Sequence, residues 1–364
     1  MSTNTIIHSD IKEWKGYAGR PFLISGPCSA ESEEQVMETA KQLAALTKIS
    51  IFRAGIWKPR THPDSFEGIG SEGLKWLRRV KQETGLLVGV EVANERHVYE
   101  ALKYGIDMLW IGARTTVSPL TVQEISNALQ GVDVMVLIKN PINPDIDLWI
   151  GAFERIARAG VTRLGAIHRG FSTFEKTMYR NQPNWQLPIE LRRRIPDLPI
   201  ICDPSHIGGS RTYLHEISQK ALDLNFDGLI IESHIDPANA LSDSAQQVTP
   251  NELNELLSRL ILRNPSPDNP KLLDILGELR QQIDVYDEHL LDLLEKRMKV
   301  VEKIGMYKKE NNITILQSLR WDEIMKRAIE KGAAKGLSAE AINGIFKAIH
   351  QESINSQMRV MNEK

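Results

Sequence analysis

The sequence predicts an α/β protein built on a (β/α)8 barrel, followed by an all-helical domain. Three observations carry this expectation. Short Val/Ile/Leu-rich runs alternate with amphipathic stretches up to about residue 262. Beyond about residue 265 strand signals stop and Leu, Glu, Lys and Arg dominate. Between the two regimes lies LRNPSPDNP at 262–270, whose prolines cannot continue a helix and mark a linker. The domains expected are a barrel over 1–262, a linker over 263–270 and a helical domain over 271–364.

The strand candidates are FLISG (22–26), ISIFRAG (49–55), LLVGVEV (86–92), MLWIG (108–112), VMVLIK (134–139), TRLGAIH (162–168), PIICD (199–203) and GLIIE (228–232). Each is apolar nearly throughout, as parallel strands buried on both faces must be. Helix candidates at 33–47, 70–84, 94–104, 119–130 and 148–159 separate them. Eight such units in about 260 residues is barrel arithmetic. A doubly wound sheet is the alternative, but no G-x-G-x-x-G turn follows the first strand. The tail holds helix candidates at 271–310 and 318–332, and a third that begins after Ser338 and ends near 360. An apolar stripe runs along the first, through Leu272, Leu276, Leu279, Ile283, Tyr286, Leu290, Leu294, Met298, Val301 and Ile304. A helix this long cannot cover such a stripe within one small bundle, so it is expected to pack on another chain.

Composition narrows the function. A net charge of −2 argues against a nucleic-acid binder, and no apolar run approaches the length of a membrane span. The start, MSTNTIIHSD, lacks the pattern of a secretory signal, and two cysteines make no disulfide scaffold. A soluble cytoplasmic enzyme is expected.

The strand exits read GPCSAE, FRAGIWKPRTHPDSF, EV, IGARTT, IKNP, IHRG, CDPSHIGGSR and IESH. A barrel gathers its reactive groups at that end. Cys28, Arg53, Lys58, Arg60, Arg114, Lys139, Arg169, His206 and Glu232 are therefore expected around one cavity. A single charge there is most simply solvated. A ring of Lys and Arg would repel itself unless it received anions, and Arg forks with Lys point charges suit phosphate and carboxylate. Cys28, His206, Glu232 and Asp243 offer a thiolate, an imidazole and two carboxylates, a set that suits Mn, Fe, Co or Zn. Taken singly, Cys28 reads as a core residue and His206 as a satisfied loop histidine. Cys202 reads as core.

GPCSAES, KPRTHPDSFEGIG, IGAR, CDPSHIGGSR and GLIIESHIDPANALSDSAQQ together resemble the 3-deoxy-D-arabino-heptulosonate 7-phosphate (DAHP) synthase family over roughly residues 15–262. The resemblance is to its compact type I beta-like branch, because the first motif begins near residue 21. It implies condensation of phosphoenolpyruvate with erythrose 4-phosphate on a divalent metal ion. Cys28, His206, Glu232 and Asp243 match the metal ligands. Arg114, Lys139 and Arg169 match the groups around the phosphate of phosphoenolpyruvate, and Arg53, Lys58 and Lys139 those near its carboxylate. Arg60 and Thr61 match the site for the erythrose phosphate, and Lys58 is the expected proton donor. The related octulosonate-phosphate synthases resemble KANRSS where this chain has KPRT, which leaves them as a third reading.

KLLDILGELRQQIDVYDEHLLDLLEKRMKVVEKIGMYKKE and FKAIHQESINSQ resemble the all-helical chorismate mutase family across the tail. Arg280, Arg297, Lys308, Arg320, Ser353 and Gln357 fall on its substrate-binding positions. Arg297 and Lys308 share a helix face to within roughly 20°, whereas Arg280 points about 100° away and suits a site in a partner chain. Ser353 and Gln357 share a face as an i,i+4 pair. The resemblance implies rearrangement of chorismate to prephenate in a homodimer, with Arg280, Arg297, Lys308 and Gln357 catalytic. The second helix begins QSLRW where the family tends to D-x-x-R-E. Arg320 matches, but Gln317 and Trp321 replace the carboxylates. Feedback on the barrel by chorismate or prephenate is a further expectation. The alternative is a helical module that only dimerises the chain or senses a ligand.

Overall fold

A computed structural model describes residues 6–59, 64–174, 177–264, 269–316 and 318–362. Arg60, Thr61 and Gln317, named above, lie outside the described residues. The chain divides into two compact units, Met1–Pro265 and Ser266–Lys364.

In the first unit eight parallel strands close into a barrel in sequence order. They are β1 (Phe22–Gly26), β2 (Ile51–Arg53), β3 (Leu87–Val92), β4 (Met108–Ile111), β5 (Met135–Lys139), β6 (Leu164–His168), β7 (Ile200–Cys202) and β8 (Gly228–Glu232). Closure runs through β1 and β8, with Phe22 opposite Gly228 and Gly26 opposite Glu232. This is the barrel that the apolar runs predict. β2 and β7 are trimmed to three residues each. After β2 the chain leaves the ladder at Gly55, which instead bridges Ser29.

Two apolar layers hold the barrel. Side chains such as Phe22, Ile24, Met108, Trp110 and Ile167 fill its interior, and Ile11 and Trp14 of the N-terminal segment close the lower end. Trp14 meets Phe22 edge-on at 5.7 Å between ring centres. The other faces of the strands pack on the surrounding helices. Helices at Glu33–Leu46, Glu72–Thr84, Glu95–Lys103, Pro119–Ala128 and Ile146–Arg158 lie where the sequence places them, to within two residues. Ser32, Asn94, Ser118 and Asp145 cap four of these by accepting backbone N–H bonds. Helices at Gln186–Arg194, Leu214–Asp223 and Pro250–Ser258 complete the outer ring.

The second unit has three helices, Pro270–Glu310, Ser318–Ala333 and Ala339–Asn362. The first packs on the third along its C-terminal portion. There Val301 is buried, Gly305 lies against Gln357, and Arg297 reaches Ser353. From Lys271 to Val300 no side chain is buried, and Leu279, Ile283, Tyr286, Leu290 and Leu293 are each about half exposed or more. Among the described residues no helix is long and apolar enough to cross a membrane.

Candidate active sites

The carboxyl ends of the strands surround a cavity of about 370 Å³. Lys58, Arg114, Lys139 and Arg169 line it, and so do His206 and Asp243. The sequence folds this way because its exits carry tight-approach glycines. Gly26 has φ +145°, and a β-carbon there would sit 2.0 Å from the Arg53 carbonyl oxygen. That contact brings the Cys28 turn against β2, where the Gly55 N–H donates to the Cys28 carbonyl at 3.1 Å. Gly112, leaving β4, makes room for Glu91; a β-carbon there would lie 2.1 Å from its Oε1.

Cys28, Glu232 and Asp243 place one donor atom each within 4.8 Å of one another. His206 stands beside them, its Nε2 3.8 Å from Glu232 Oε1. Each member has its own support. Gln246 donates to Glu232 Oε2 at 2.7 Å, and Gln247 Oε1 accepts from the Cys28 backbone at 2.8 Å. Arg180 donates to Asp243 Oδ1 at 2.9 Å, and the His206 Nδ1 lies 2.8 Å from Asp203 Oδ2. Burial pushes the Cys28 thiol up to about 12, with Glu232 and Asp243 adding to the rise. Asp243 is held well below the usual carboxylate range by Arg180 and His206 in spite of burial. One thiol and two carboxylates gathered beside an imidazole form a donor set short of positive charge, and it fits a borderline divalent ion. Two cations already lean on it: Lys58 Nζ is 3.1 Å from Cys28 Sγ, and Arg53 pairs with Glu232 at 2.8 Å.

Arg53 differs from the sequence expectation. Like the buried Cys28 and Glu232, it does not line the cavity. Its guanidinium is 2% exposed, bound to Glu232 and 4.9 Å above the Trp110 ring centre. The anion side is made by Lys58, Arg114, Lys139 and Arg169. Lys139 Nζ meets Asp203 Oδ2 at 3.1 Å, and Arg169 donates to Asn181 Oδ1 at 2.8 Å. Burial lowers Arg169 to about 10, which leaves it charged at neutral pH. Sequence reasoning passes over Asp203, Arg180, Glu91, Gln246 and Gln247. Asp203 and the glutamines stand inside quoted motifs. Arg180 lies on the long connection after β6, away from any strand exit.

In the helical unit Arg297 Nη1 donates to Ser353 Oγ at 2.6 Å, and Gln357 Nε2 donates to the Ser353 carbonyl at 3.2 Å. Lys308 Nζ is bound to the Ile315 carbonyl at 2.6 Å. Partial burial lowers the pKa of both Arg297 and Lys308. Two expected members stand apart. Arg320 is exposed and pairs with Glu323, while its neighbour Trp321 stacks on His350 at 4.0 Å. Arg280 is exposed and lies 17 residues before Arg297 on one helix, so about 25 Å away.

A closed parallel barrel whose carboxyl-end cavity is lined by Lys and Arg defines an enzyme for small polyanions. The chain belongs to the DAHP synthetase I family, whose model matches residues 4–262. Residues 279–358 match chorismate mutase type II. One chain thus joins a DAHP synthase domain to a chorismate mutase domain, two activities of aromatic biosynthesis. A phospho-2-dehydro-3-deoxyheptonate aldolase from Thermotoga maritima is 33% identical over 268 residues, 74% of this chain and 73% of that one. A 2-dehydro-3-deoxyphosphooctonate aldolase from Variovorax paradoxus is 29% identical, over 66% of this chain and 89% of its own. The crystal structure of a Thermotoga maritima DAHP synthase superposes with a TM-score of 0.59 at 32% identity, covering 70% of this chain and 69% of that one. A truncated form of the enzyme from that organism gives 0.56 at 30% identity, covering 70% of this chain and 87% of its own.

Proposed function

We propose that the barrel mouth joins phosphoenolpyruvate to erythrose 4-phosphate, giving DAHP and inorganic phosphate. The observation that carries this reading is one cavity in which Lys58, Arg114, Lys139 and Arg169 stand beside the Cys28, Glu232 and Asp243 cluster. Arg114, Lys139 and Arg169 cradle the phosphate of phosphoenolpyruvate. Lys58 and Lys139 hold its carboxylate, while Arg53 neutralises Glu232 behind the cavity. Arg60 and Thr61 take the phosphate of the aldose. Cys28, His206, Glu232 and Asp243 would hold a divalent ion, Mn, Fe, Co or Zn, which supplies Lewis-acid polarisation of an aldehyde oxygen.

The Lys/Arg ring holds two polyanions together, and this proximity replaces a bimolecular encounter. C3 of phosphoenolpyruvate bonds to the aldehyde carbon, and the aldehyde oxygen takes a proton from Lys58. Water adds at the cationic C2 and its proton restores Lys58; the C2 hydroxyl then collapses to the ketone, passing its proton to the phosphate as the C2–O bond to phosphate breaks. Phosphate release measured with each aldose, with and without EDTA, tests the reading. Release that requires erythrose 4-phosphate, stops with EDTA and returns with metal supports it. Preference for arabinose 5-phosphate would instead make this an octulosonate-type synthase.

The helical domain rearranges chorismate to prephenate. Arg297 and Ser353 bind one carboxylate, and Lys308 and Gln357 donate to the ether oxygen as charge develops there. Arg280 reaches the second carboxylate from another copy of the chain, and Arg320 flanks the entrance. The supporting observation is the naked N-terminal part of the first helix, where Arg280 lies among uncovered Leu, Ile and Tyr side chains. We therefore read a homodimer made through residues 271–364, a linker over 263–270 and a barrel over 1–262, working in the cytoplasm without nucleic-acid or membrane partners.

A further inference from the structure

We propose that Asp203 is a positioning residue that serves both halves of the barrel site, holding the His206 imidazole for the cation and the Lys139 ammonium for the anion. The inference rests on the reading of the barrel given above. Asp203 follows β7 and is 1% exposed. Its Oδ2 lies 2.8 Å from His206 Nδ1 and accepts from Lys139 Nζ at 3.1 Å. Its Oδ1 lies 3.0 Å from the same imidazole nitrogen and accepts the His206 backbone N–H at 3.1 Å.

A carboxylate against Nδ1 selects the tautomer that carries its proton there. That leaves the Nε2 lone pair facing Glu232 and the cluster, the form a metal requires. Lys139 is 5% exposed, and without Asp203 its ammonium would be buried with no counter-charge beside it. One carboxylate therefore fixes a ligand and an anion anchor that come from different strands, β7 and β5.

A purely local role can be separated from this one. Asp203 also caps the short helix Pro204–Gly208. Capping needs a single neutral acceptor, which asparagine supplies. Asp203→Asn keeps size and cap but turns an amide N–H group toward donors that expect a carboxylate.

The test uses the full-length protein and cobalt(II) alone as probe, titrated against a chromophoric chelator, with a melting curve as the control for folding. We expect Asp203→Asn to weaken cobalt binding about 10–100-fold. At saturating metal it should also raise the KM for phosphoenolpyruvate. Lys139→Met should raise that KM yet leave cobalt affinity within about threefold, because it leaves the Asp203 to His206 contact in place. Unchanged cobalt affinity in Asp203→Asn would overturn the inference alone. So would a cobalt loss in Lys139→Met equal to that in Asp203→Asn, since charge balance rather than the imidazole contact would then explain it. Wild-type protein showing no sulfur-to-cobalt absorption band would overturn the metal reading and this inference together. A further check needs no folded variant at Asp203. The ¹⁵N-histidine spectrum of the wild type, assigned with His206→Gln, should show the proton on Nδ1; a proton on Nε2 would overturn the proposal.

Discussion

Arg53 and Lys58 stand five residues apart and do different work. Arg53 is sealed between Glu232 and Trp110, whereas Lys58 extends to the Cys28 thiol at the cavity wall. Removing Arg53 would leave Glu232 buried and unneutralised, which costs about 3–5 kcal/mol. Arg53→Met should therefore lower the melting temperature by on the order of 10 °C, given roughly 2–4 °C per kcal/mol for a domain of this size. The pair Arg53→Met with Glu232→Gln should recover part of the loss in the same calorimetric scan. Lys58→Met predicts the opposite split. Turnover should fall about 10²–10⁴-fold, the usual range for a lost acid–base group. Metal content by atomic absorption should stay near wild type, and its disappearance would sink the proton-donor assignment. The sequence could not separate these fates. A strand buried on both faces shows no alternation of polarity, so nothing in ISIFRAG says whether Arg53 points into the mouth or beneath it. Asp203 and Arg180 stayed hidden for a related reason: a supporting residue is defined by what it touches, and Lys139 for Asp203, and Asp243 and Gln246 for Arg180, lie on other strands and loops.

At the level of elements, the barrel was legible because each strand is an unbroken apolar run and most helices carry a capping residue one position before they begin. Its exits were legible as well, since a barrel assigns all chemistry to one end. Helices Gln186–Arg194, Leu214–Asp223 and Pro250–Ser258 were not among the candidates, and the first is the hardest to read. QLPIELRRR holds a proline and a run of arginines, and only Pro188 and Leu191 are buried. In the tail, the 3.6-residue stripe was plain, and the described chain leaves its first half uncovered. Covering a Leu or Ile contributes about 2 kcal/mol, so a pair of such helices has ample drive to associate. Leu290 sits mid-stripe at 58% exposure. Leu290→Arg should place like charges in any face that pairs with itself, and light scattering should then report a mass near 41.1 kDa. Chorismate consumption should fall with the dimer, because Arg280 could no longer reach a neighbouring site. A Leu290→Arg dimer with full mutase activity would contradict the proposed crossing of Arg280 between copies.

At the scale of the whole molecule, a barrel with a cationic cavity and a chorismate mutase domain share one covalent chain. The last barrel residues are pinned, since Ile261 N donates to Gln219 and Arg263 pairs with Asp223. A net charge of −2 over the whole chain conceals the local concentration of Lys and Arg at the barrel mouth. We propose that prephenate or chorismate bound in the helical unit inhibits the synthase. Such an effect requires the ligand to prefer one arrangement of the chain over another, and its size cannot exceed that preference. Arg297 is the handle. It is half buried, held by Ser353 and far from the barrel in sequence, so Arg297→Ala should weaken ligand binding without altering any barrel side chain. Phosphate release by the wild type should fall as prephenate is added, and Arg297→Ala should need at least about tenfold more prephenate for the same inhibition, the loss of roughly 1.4 kcal/mol of charge-assisted binding. Linkage also runs in reverse: phosphoenolpyruvate should weaken prephenate binding in the wild type by the factor by which prephenate weakens phosphoenolpyruvate binding. Equal inhibition of both proteins would place the inhibitor in the barrel mouth, where a dicarboxylate competes directly for Lys139 and Arg169.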